Sequence, residues 1–103
     1  MFAVRITGPA EQDIQRNFQW WCENRDLDQA AKWYESIYPA IATLRQMPRR
    51  CAFAREQEEY SGELRQLYFG IGRKATHRIV FTIEGETVIV LAVLHQRQMW
   101  LDS

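Results

Sequence analysis

The chain has 103 residues, which is enough for one domain, spanning 1–103, and too few for two. Its 47% hydrophobic and 25% charged residues are those of a globular chain that buries a core, and thirteen basic residues are balanced by thirteen acidic ones, so the basic excess common in nucleic-acid binders is absent. No stretch approaches the roughly 18 apolar residues of a membrane span, and the start, MFAVRITGPAEQD, lacks the basic-then-apolar pattern of a secretory signal.

Residues 2–6, FAVRI, are β-prone and stop at Thr7-Gly8-Pro9. Pro9 suits the first helical position, and Glu11 and Asp13 suit the positive end of the helix dipole. Ala10, Ile14, Phe18, Trp21 and Cys22 then trace one helical face, which predicts a first helix to about Glu23. Asp26 or Asp28 caps a second helix. Its predicted stripe is Ala30, Tyr34, Ile37, Ile41 and Leu44. Pro39 interrupts the stripe without changing its period, which predicts a kink, and Met47-Pro48 ends the helix.

Residues 48–62 read as a loop, with Pro48 and two arginines followed by Glu56, Glu58, Glu59 and Ser61-Gly62, and the pattern then turns to strands. ELRQLYF is the first. Gly70 and Gly72 make a turn with Arg73 and Lys74 at its tip. THRIVFTI is the second, with Ile79, Phe81 and Ile83 on one face and Arg78, Val80 and Thr82 on the other. After the Glu84-Gly85-Glu86 turn comes TVIVLAVL, whose continuous apolar run marks a strand covered on both faces or central in its sheet. The fold class expected is α+β, in the order β-α-α-β-β-β, with a helical hairpin on one face of an antiparallel sheet. Cys22 and Cys51 belong to no CxxC pair and have no histidine at metal spacing. Two idle thiols in a reducing cytosol are the expectation, with a disulfide between them as the alternative.

Four segments in this order carry a resemblance: TGPAEQDI after a strand, AAKWYESIYPAIATLRQMP, GELRQLYFG, and THRIVFTIEGETVIVLAVLHQRQ. Together they resemble the RelE/ParE superfamily of toxins from type II toxin–antitoxin systems, of the plasmid-stabilisation type and closer to ParE. The resemblance spans nearly the whole chain. It implies a cytoplasmic, growth-inhibiting protein, silenced by a cognate antitoxin laid on its helices and beside its last strand. The target implied is DNA gyrase, bound without chemistry, or else the ribosome, where RelE-like members cut mRNA. A non-toxic structural or regulatory relative is a further alternative. Neither cofactor nor metal is expected, nor a membrane, nor sequence-specific DNA binding by the chain alone.

Metal-free RNA cleavage needs a group to activate the 2′-hydroxyl, a cation for the phosphate and an acid for the leaving oxygen. Arg65, Arg78, His95 and Arg97 are the candidates. Arg78 is expected on the open side of the sheet, and His95 and Arg97 on one side of the last strand if it extends that far. Each has a plainer reading. Arg78 is then a solvated strand residue, Arg65 an ion-pair partner of Glu63 or a loop glutamate, and His95 a structural histidine. Trp20, Trp33 and Trp100 are candidates for an antitoxin or target surface, the alternative being core. Trp100 and Leu101 either close the core edge or meet the antitoxin. The zero net charge, the acidic loop AREQEEYSGE and the lack of a tyrosine in HQRQ favour a binding toxin over a nuclease.

Overall fold

A computed structural model describes residues 1–100. β1 (Ala3–Ile6) leads into α1 (Gly8–Asn24) and α2 (Leu27–Ala42), and β2 (Leu64–Phe69), β3 (His77–Glu84) and β4 (Thr87–His95) follow. This is the expected order, and each helix begins where a capping side chain takes up free backbone donors. The Thr7 hydroxyl accepts the Ala10 N–H at 3.3 Å and donates to the Val90 carbonyl at 2.8 Å, which ties the start of α1 to β4. Asp26 rather than Asp28 caps α2, accepting the Gln29 N–H at 2.8 Å. α2 runs on through Pro39 and tightens after Ala42 into a 3-10 turn, Thr43–Arg45, so the α-helix stops short of Met47.

The sheet order is β1-β4-β3-β2. β2, β3 and β4 are antiparallel neighbours, as expected, but β1 runs parallel to β4, so the sheet is mixed. The path explains this. α1 continues in the direction of β1, bringing Asp13 and then Asn17 beside Val93. α2 carries the chain back until the Arg45 carbonyl accepts the Phe2 N–H. Three antiparallel strands from there leave β4 pointing the same way as β1. Gly70 permits the β2–β3 turn, since a Cβ there would lie 2.4 Å from the Lys74 carbonyl oxygen. Gly85 supplies the positive φ, 59°, of the tight β3–β4 turn.

Two cores flank the sheet. Ile14, Trp33, Ile37, Ile41 and Leu44 pack from the helices onto Ile79, Phe81, Val88 and Val90. The buried stripe of α2 therefore runs through Trp33, not Tyr34, because 30-33-37-41-44 keeps the helical period equally well. Tyr34 turns to the flank and meets Phe18, ring centroids 4.9 Å apart. On the opposite face Ala54, Leu64, Val80, Ala92 and Leu94 form a smaller core, with Tyr60, Leu91 and Trp100 against it. β4 is thus central and covered on both sides, as its unbroken apolar run implied.

A bulge interrupts the β3–β4 register. Val80 faces Ala92 while Phe81 faces Val90, so Leu91 is an extra residue on β4. Before it, even-numbered residues face the helices; after it, odd-numbered ones do, which puts Val93 and His95 on the helix side. Cys22 and Cys51 are free thiols, which decides against the disulfide. No helix among the described residues is long and apolar enough to cross a membrane. Leu101 lies outside the described residues.

Candidate functional site

The four residues nominated for chemistry do not converge. Arg78 lies on the sheet face away from the helices, but that face is not open there: residues 52–62 fold over it, and Arg78 is fully buried. The reason is the cost of an unpaired buried charge. Glu56, also fully buried, meets the guanidinium with both oxygens, one at 2.9 Å. Gln66 Oε1 accepts from Arg78 at 2.9 Å, and the Gln98 carbonyl accepts from it at 2.7 Å. Glu56 also accepts the Trp100 N–H at 2.8 Å. Arg78 and its hydrogen bonds hold the Glu56 carboxyl down to about 2. This network clamps the covering segment and the end of the chain onto the sheet. Arg78 is neither solvated nor a free phosphate-binding cation.

Arg65 sits opposite Phe81, toward the far end of the sheet from His95. It pairs with Glu63 at 2.7 Å, as one sequence reading proposed. It also donates to the Cys51 carbonyl at 2.6 Å and covers the Phe53 ring at 4.1 Å. Hydrogen bonds from Arg49 and Arg65 lower the Glu63 pKa. Arg97 is exposed in a turn past β4, because the strand stops at His95 and Gln98 N–H bonds back to the His95 carbonyl. The expected pairing of His95 and Arg97 on one strand face is therefore absent.

His95 stands instead beside a histidine the sequence reading passed over. His77, directly across from it, has its ring centroid 5.7 Å from that of His95 and 5.2 Å from that of Trp33. The two ring nitrogens of His77 meet Thr76 Oγ1 at 2.7 Å and Asn17 Oδ1 at 2.9 Å. Burial, and secondarily the charge of His95, pushes the His77 pKa down to about 4, so it is neutral at pH 7. The period-two alternation His77, Ile79, Phe81, Ile83 was the signal for its place on the core face. Glu56 gave no such signal, since nothing local marks one glutamate of an acidic loop as interior.

The tryptophans divide. Trp33 is fully buried and cannot serve as a surface residue, because its indole fills the space between α2 and Phe69. Trp20 is 49% exposed, beside Asp13, Arg16 and Asn17 at a shallow hollow of about 200 Å³. Trp100 is half-buried, with its ring 5.7 Å from that of Tyr60. Tyr68, Phe53, Leu27 and Met47 add further exposed apolar surface. The arrangement offers apolar contact surface and closed ionic clamps, and it assembles no group of free acid, base and cation from the nominated residues.

Comparison with known proteins bears on the family and the fold. A family model described as "ParE toxin of type II toxin-antitoxin system, parDE" matches residues 4–100. Among solved structures, one from a chromosomal ParDE toxin–antitoxin system of P. aeruginosa superposes with a TM-score of 0.72 at 18% identity, covering 92% of this chain and 96% of that one. No curated protein matches the sequence.

Proposed function

This chain belongs to the ParE family of type II toxins, and from that premise we propose that it inhibits DNA gyrase by binding and is silenced by a cognate antitoxin. The observation that carries the binding reading is the state of Arg78. A nuclease of the RelE kind would need a cation reachable by a phosphate, and here the strand arginine is neutralised by Glu56 and sealed from solvent. Arg65 is likewise engaged, and His95 and Arg97 stand apart from both. Exposed Trp20, Tyr68 and Phe53 supply the aromatic contacts on which protein interfaces depend.

The test compares two targets. Added to purified gyrase, the chain should reduce supercoiling of relaxed plasmid, and added antitoxin should restore it. Programmed ribosomes given the same amount of chain should leave mRNA intact. Unchanged supercoiling together with cut mRNA would replace this reading with the nuclease.

A further inference from the structure

We propose that the groove at the C-terminal end of α2, walled by the exposed Met47 side chain, is a surface by which the chain grips gyrase, taking from it an apolar side chain flanked by carboxylates; this rests on the gyrase reading above. Among the described residues Met47 is the one residue other than glycine with a positive φ, at φ 48° and ψ 54°. Left-handed backbone crowds the Cβ of any residue but glycine, and Pro48, next in the chain, further disfavours helical angles at the residue before it. The turn itself is needed, because it ends the helical stretch and lets the Arg50 guanidinium donate to the Gln46 carbonyl at 2.8 Å. Glycine or asparagine makes such a turn with less strain. Nor does a long apolar side chain here gain much from the core, since Met47 is 74% exposed. Met47 therefore suits the fold poorly on two counts, and strain kept at an exposed apolar residue points to a contact made outside the chain.

The surroundings of Met47 set the chemistry of that contact. Hollows of about 540 and 420 Å³ share Met1, Arg45, Gln46 and Met47 as walls, and a third, of about 370 Å³, joins them at Arg45 to make one groove. Its walls are mostly apolar, with Phe2 and Ala42 adding to the two methionines. The charged side chains that line it are Arg45 and Arg50, with no carboxylate. Arg45 lines all three hollows and forms no ion pair among the described residues. Arg49, 5.9 Å from the centre of the Phe2 ring, is paired with Glu63.

The occupant follows from these groups. Concave apolar walls take protruding aliphatic or aromatic side chains, and a methionine adapts its shape to what it meets. Arg45 and Arg50 call for carboxylates beside them. A bilayer fits poorly, because a flat surface leaves the hollows unfilled. A second copy of this chain fits poorly too, because its matching corner presents the same arginines. An antitoxin laid along the helices and the last strand spreads its contacts over many residues, whereas hollows of this size hold a few side chains of a folded target.

The test uses the full chain, purified gyrase and relaxed plasmid. Met47→Gly relieves the left-handed strain and removes the side chain together. It should unfold at a urea concentration no lower than the wild type, yet need at least roughly tenfold more chain to halve supercoiling. Arg45→Glu reverses the charge and keeps the backbone carbonyl that accepts the Phe2 N–H, and it should show the same loss of inhibition. If Arg45→Glu does not fold, Met47→Gly decides. Wild-type inhibition by either folded variant overturns the proposal and leaves the gyrase reading standing. Should that variant also bind the antitoxin more weakly in titration calorimetry, the groove belongs to the antitoxin instead. A urea midpoint for Met47→Gly clearly below the wild type overturns the proposal as well, because Met47 then packs within its own chain. A wild-type chain that leaves supercoiling unchanged overturns both readings.

Discussion

Moving a guanidinium out of water costs several kcal/mol unless a partner neutralises it, and Glu56 is that partner for Arg78. Glu56→Ala strands the charge and is expected to lower stability by about 3–5 kcal/mol in urea unfolding. Replacing both residues, Glu56→Leu with Arg78→Met, should cost much less, because the stranded charge goes with its partner. Equal losses in the single and double variants would contradict this. His77 responds to a different range of pH. Its folded pKa of about 4 lies below the ordinary 6.5, so between these values the unfolded chain binds the proton that the folded chain refuses. Stability is therefore full above about pH 6.5 and falls as pH drops toward 4, by roughly 3 kcal/mol at most. Thermal melts across this range should show the slope, and His77→Gln should flatten it. Glu56, depressed to about 2 from 4.5, contributes its own loss only below about pH 4.5.

Elements that look alike in sequence diverge once packed. α1 and α2 each carry tryptophans, yet Trp33 is enclosed by the sheet and Trp20 is not. Trp33→Ala should cost about 3–5 kcal/mol in chemical denaturation, whereas Trp20→Ala should change stability by under about 0.5 kcal/mol. Equal losses would mean that Trp20 packs in solution. Helical period predicted which side of α2 is buried but could not choose between Trp33 and Tyr34, which differ by a single step around the helix. On β3, alternation correctly assigned Ile79, Phe81 and Ile83 to the helices. It could not reveal that residues 52–62 return over the other face, since that is a long-range contact with no periodic trace. The bulge at Leu91 was invisible for another reason. Every position of VIVLAVL is apolar, so one inserted residue leaves the pattern unchanged while moving His95 to the other face. Site geometry was therefore less legible than the strand that carries it.

At the scale of the molecule, a net charge of zero conceals how the charges are placed. Acidic Glu56 and Glu63 are paired with Arg78, Arg65 and Arg49, while Arg45 faces an apolar groove with no carboxylate partner among the described residues. Composition counts the first group and the second alike. The order of elements was legible because each announces itself locally by period and by cap. The parallel placement of β1 was not, because it depends on how two helices and two turns sum. That placement also governs how the protein comes into being. Residue 3 finds its place against residue 87, so on a ribosome the first strand emerges early and waits without a neighbour. The helical hairpin and the β2–β3 pair are built from nearer contacts and can form while synthesis continues. The sheet closes only after residues 87–95 have been made, and until then a nascent chain lacks the finished surface through which it would act.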